Sequence, residues 1–136
     1  MAKIDGITRR PLVRTFEYDF ATLGGSTGVK TLVEINGEAD GKLNEGDMIV
    51  DVITECLTAA TSGGAATIKL GITGNDDAFE AATAYTDDSY DTVNTLGRKI
   101  NEMPLRVNTS GGVSVIATIG TAALTAGKFR VHVLMA

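Results

Sequence analysis

From Thr15 the chain alternates, with Phe16, Tyr18 and Phe20 on one parity and Thr15, Glu17 and Asp19 on the other. That is the period of a strand with one buried face. Leu23-Gly24-Gly25-Ser26-Thr27-Gly28 interrupts it, and Val29, Val33 and Ile35 then alternate with Lys30 and Glu34 across a second predicted strand. Residues 36–47 hold three glycines among acids and amides and predict a loop. After it Met48, Val50, Val52 and Cys56 share a parity, in a long β-branched run that suits a central strand. Thr61-Ser62-Gly63-Gly64 predicts a hairpin into Ala66, Ile68, Leu70 and Ile72. Gly74-Asn75-Asp76-Asp77 turns the chain again.

Residues 78–86 fit two elements. Phe79, Ala82 and Tyr85 have helical spacing, whereas Thr83, Tyr85 and Thr86 lower helix propensity. Residues 87–95 are polar and predict an exposed loop, followed by short extended pieces over 96–100 and 105–108. Val113, Val115, Ala117 and Ile119 form the next strand. After a turn at Ala126-Gly127, Phe129, Val131, Val133 and Met135 form the last, with Arg130 and His132 on its other face. Seven or eight short strands at roughly 8–12-residue spacing, without a long helix, predict an all-β fold: an antiparallel β-sandwich, in its jelly-roll form.

The 136 residues suit one domain. Their 43% hydrophobic and 21% charged content is that of a globular chain. With no Trp and 5% aromatics, Val, Ile, Leu and Ala are expected to fill a thin core, which favours association with further copies. No run approaches the ~20 apolar residues of a membrane helix, so no membrane partner is expected. Residues 1–14 lack the apolar stretch of a secretory signal, so synthesis in the cytoplasm is expected. One cysteine excludes an internal disulfide, and one cysteine with one histidine cannot complete a four-ligand zinc site.

Charge divides the chain into a basic extended arm, residues 1–14, and a sandwich domain, residues 15–136. Lys3, Arg9, Arg10 and Arg14 against Asp5 give the arm +3, so the net −5 leaves −8 on the body. An acidic body argues against nucleic acid as the partner. Pro11 biases Arg10 toward extended backbone. The arm is read as a docking segment for an acidic surface of a neighbour. Lys3, Arg9, Arg10 and Arg14 would pair with carboxylates, while Ile4, Ile7, Leu12 and Val13 fill a groove.

Candidate chemistry is sparse. Asn36, Glu38, Asp40 and Asp47, with Gly41, imitate calcium-loop spacing, but their flanks are β-branched where helices are required. Asp87, Asp88 and Asp91 have no ligand spacing. Residues 120–128, GTAALTAGK, place six residues between their glycines where a phosphate loop has four. Gly24-Gly25-Ser26-Thr27-Gly28 precedes a strand where a dinucleotide site has a helix. His132 and Cys56 are predicted on opposed faces, which separates the one thiol–imidazole pair available. Asn108-Thr109-Ser110 matches a glycosylation acceptor by chance. No catalytic, cofactor or metal residue is assigned, and no small-molecule substrate is expected.

Three segments carry a family likeness: TFEYDFATLGGSTGVKTLVEI, GDMIVDVITECLTAATSGGAATIKLGITG and GTAALTAGKFRVHVLMA. Their strand-and-turn texture, over most of residues 15–136, resembles the capsid decoration or cement proteins of tailed bacteriophage heads. The resemblance implies a non-enzymatic structural protein of the virion. It would be a homotrimeric β-sandwich on the outer capsid surface, bridging major capsid protein subunits. Jelly rolls also host lectins, so the alternative is a receptor- or glycan-binding module of a head or tail fibre, with Tyr85 and Tyr90 beside Asp87, Asp88 and Asp91.

Overall fold

The computed structural model describes residues 12–35 and 41–136. In chain order its elements are β1 (Leu12–Asp19), α1 (Phe20–Leu23), β2 (Gly28–Thr31), β3 (Val33–Glu34), β4 (Lys42–Leu43), β5 (Met48–Ser62) and β6 (Thr67–Ile72). Then follow β7 (Asn75–Ala84), α2 (Asp88–Asp91), β8 (Leu96–Arg98), β9 (Leu105–Arg106), β10 (Val113–Gly120) and β11 (Leu124–Met135).

A six-stranded sheet runs β3-β1-β11-β5-β8, with β9 also on β5, and a five-stranded sheet runs β2-β10-β6-β7, with β4 also on β10. Four strands of each, β1-β11-β5-β8 and β2-β10-β6-β7, make the two layers, all pairings antiparallel. Taken in chain order, these eight strands change layer at every step except from β6 to β7, which are joined within one sheet. That winding is the expected jelly roll.

The alternation of β1, β6, β10 and β11 places side chains as predicted. Phe16, Tyr18, Ile68, Leu70, Val115, Ala117, Ile119, Phe129, Val131 and Val133 share one core. The core is less purely aliphatic than composition suggested, because Phe16, Tyr18, Phe79, Tyr90 and Phe129 are all buried. Tyr18 stacks on Phe129 at 5.2 Å between centroids, and Tyr90 meets the same ring edge-on at 5.1 Å.

Several expectations are corrected. The chain over residues 28–35 is not one strand: β2 pairs with β10, Leu32 turns inward, and β3 pairs with β1 in the other sheet. Val29 and Val33 are therefore exposed and Leu32 buried, the reverse of a single alternating strand. In β5, Asp51 opposes Leu134 and Ile49 opposes Met135, so Val50 is an extra residue. This bulge turns Val50 outward and buries Ile49. Thr61-Ser62-Gly63-Gly64 makes no hairpin, since β5 and β6 lie in different sheets. The tight hairpin is the two-residue Thr73-Gly74 turn joining β6 to β7.

Residues 78–84 belong to strand β7, because β6 offers them a ladder. Residues 87–95 are not wholly an exposed loop: Asp87 caps α2 and sends Ser89 and Tyr90 inward. Ala126-Gly127 lies inside β11, between two register shifts. A Cβ on Gly127 would sit 3.1 Å from Ala60 Cα, so glycine allows β5 to approach there.

Candidate functional site

The sheet begins at Leu12, within the stretch read as arm. Lys3, Ile4, Ile7, Arg9 and Arg10 lie outside the described residues, as do residues 36–40 of the calcium-like loop. Leu12 and Val13 oppose Met135 and Leu134 and are 54% and 51% exposed. Arg14 is different. Its side chain is 5% exposed, its Nε and Nη2 donate to Glu34 at 2.8 and 2.6 Å, and its guanidinium lies 5.6 Å from the Phe16 ring centroid. The expected reach of Arg14 to a neighbour is therefore corrected: β1–β3 pairing brings Glu34 opposite Phe16 and holds Arg14 within its own chain.

The outer face of the six-stranded sheet carries an ion-pair ladder. Arg130 Nε is 3.0 Å from Glu17, His132 Nε2 is 3.0 Å from Glu55, and Arg98 Nε is 2.9 Å from Asp51. His132 Nδ1 also lies 2.9 Å from Thr15 Oγ1. Cys56 faces the other way, its thiol donating to Tyr90 O at 3.2 Å. Burial, reinforced by the Asp91 charge, pushes the Cys56 thiol pKa up. Thiol and imidazole thus occupy opposite faces, and the thiol is held away from its nucleophilic form.

A polar cluster beneath α2 had no signal in the sequence. Lys99 Nζ lies 2.7 Å from Glu80 Oε2 and 3.9 Å from Asp87 Oδ1, and 5.3 Å from the Tyr90 ring centroid. The Tyr90 hydroxyl donates to Glu80 Oε1. Burial, and then the Glu80 charge, push the Tyr90 pKa well above the usual tyrosine value, so the phenol stays a donor. Hydrogen bonds from Ser89 hold the Asp87 carboxyl below its usual range. Every charge here is answered by a neighbour, as in a strut between layers. The arrangement also corrects the glycan reading, because Tyr90 is fully buried and offers no surface platform.

A cleft of about 650 Å³ opens on the outer face of the five-stranded sheet, lined by Val29, Thr31, Ile116 and residues 73–76. Ile116 points outward between the inward Val115 and Ala117, yet it is 6% exposed. One wall is the β6–β7 hairpin, which folds close because Gly71 has no Cβ; one added there would lie 2.3 Å from Asn75 O. The opposite rim is Val29, 60% exposed on the edge strand β2. Among the described residues no group of three or more His, Cys, Asp or Glu could hold a metal ion. Asp47, the last acid of the calcium-like spacing, accepts from Asn44 N at 2.8 Å as a turn cap.

No family model matches the chain, and no curated protein matches it. Among solved structures, a chain from the acid-stable capsid of Helicobacter pylori bacteriophage KHP30 superposes with a TM-score of 0.62 at 16% identity, over 95% of this chain and 89% of that one. A chain of the cyanophage Pam1 capsid asymmetric unit superposes with a TM-score of 0.66, also at 16% identity, over 98% and 92%. The fold is shared nearly end to end. At this identity the likeness speaks for the layers and their winding, not for particular side chains.

Proposed function

We propose that this protein is a non-enzymatic decoration protein of a phage head. In this reading it binds the outer surface of the assembled capsid as a trimer and bridges major capsid subunits, and residues 1–13 carry arm contacts to its neighbours. The observation that supports it best is the near-complete overlap with chains of two phage capsids. The outward-facing ladder and the satisfied cluster under α2 suit a load-bearing module, since Arg130 is paired with Glu17 and Lys99 with Glu80 within the chain. A protein that binds the assembled lattice better than separate subunits strengthens it by linkage, and many modest interfaces add up.

The test is attachment to purified DNA-filled heads lacking the protein, read as occupancy by electron cryo-microscopy. Saturable binding at symmetry-related outer sites, with greater resistance of the heads to heating, is expected. Deleting residues 1–11, which leaves β1 whole, should lower occupancy at equal protein concentration. Absence of binding to heads and expanded shells alike would overturn the reading.

A further inference from the structure

We infer that the cleft on the outer face of the five-stranded sheet receives residues 1–11 of a second copy of this chain. The inference rests on the reading of the arm as a docking segment and is independent of where the assembly is bound.

The cleft has the chemistry of a peptide groove. Ile116 floors it and Val29 rims it, so an aliphatic side chain laid between them leaves water. The far wall is acidic: Asp76 lines the cleft, and Glu102 accepts from the lining Asn75 Nδ2 at 2.9 Å. Lys69 answers Asp76 at 3.1 Å, which leaves the wall an excess of carboxylate.

The chain supplies the complement. Residues 1–11 carry Lys3, Arg9 and Arg10 against Asp5, with Ile4 and Ile7 between them. Ile7 and Arg9 share a parity, so an extended arm sets an aliphatic anchor and a guanidinium on one side, as floor and wall require. Pro11 favours that extended form at Arg10.

Where the arm leaves the body selects the copy. Leu12 opposes Met135 in the six-stranded sheet, whereas the cleft opens on the five-stranded one. Eleven extended residues span about 36 Å, enough to cross to an adjoining body. Arm-into-cleft contact is head-to-tail, and repeated about an axis it closes into a ring.

The test uses the isolated full-length protein with photoreactive benzoylphenylalanine at position 29, an exposed site. Irradiation is expected to give covalent dimers and higher species on a denaturing gel, with peptide mapping joining position 29 to residues 1–11. The paired change Arg9→Glu, Arg10→Glu lies outside the sandwich and should cut the yield about tenfold, the effect of roughly 1.4 kcal/mol. Products of monomer mass joining position 29 to its own arm would overturn the inference, as would products that do not include the arm, or no product. No phage head is present, so this result and attachment to heads fail independently.

Discussion

Lys99 and Glu80 meet at 2.7 Å between the layers, with side chains 9% and 14% exposed. The pair joins β7 to the residue after β8, and so ties the two sheets where the chain crosses between them. Glu80→Ala leaves the lysine only the more distant Asp87, at 3.9 Å, and leaves the Tyr90 hydroxyl without its acceptor. A loss of about 3–5 kcal/mol is expected. Urea denaturation measures it, and Lys99→Met placed in the Glu80→Ala background should recover part of the loss.

Tyr18 is buried, and its hydroxyl donates to Gly24 O at 2.8 Å. Burial, with Asp19 adding its charge, pushes its pKa up to about 12 from 10.0. Below pH 10 folded and unfolded chains both keep this proton, and it gives no pH dependence. Between 10 and 12 the unfolded chain releases it first, so stability falls by about 1.4 kcal/mol per pH unit from this group. Tyr18→Phe should start about 1 kcal/mol less stable at neutral pH and lose its disadvantage as the pH rises toward 12. Urea midpoints of the two proteins from pH 8 to 12 give the comparison.

Thr118 Oγ1 is the one buried side-chain polar atom among the described residues without a hydrogen-bond partner. Thr118→Val keeps the shape and the β-branch while removing an unmet hydroxyl. The variant is expected to be about 1 kcal/mol more stable. A lower urea midpoint than wild type would contradict this.

Gly71 lies under the start of β7, and its replacement tests the cleft wall. The Cβ of Gly71→Ala would meet Asn75 O at 2.3 Å and Asp76 O at 2.6 Å, both backbone atoms. A loss of about 1–3 kcal/mol is expected. Amide exchange should quicken in residues 72–77 more than in β11.

Legibility in the sequence followed the reach of the forces involved. β10, and β11 from Phe129 onward, could be read by parity, because one face of each packs on the core. β5 could be read up to Ala60 except at Val50, where the bulge is set by the register of β11. Val29 and Val33 misled because both are β-branched and both are exposed, on strands of different sheets. The excess of basic charge over residues 1–14 was visible, yet Arg14 was read as reaching a neighbour because Glu34, twenty positions away, gives no local sign of being its partner. Lys99, Glu80 and Tyr90 were unreadable for the same reason.

What the sequence alone determined is the strand content, the inward parity of most strands and the opposition of a basic terminus to an acidic remainder. These follow from backbone period and net charge, which act over a few residues or over the whole chain. The tertiary structure decided which strands pair, where the chain changes sheets, that Tyr90 is core rather than surface, and that an isoleucine on an outward row floors a cleft. Those outcomes depend on contacts between residues far apart in sequence, whose free energies exist only once two layers close on each other.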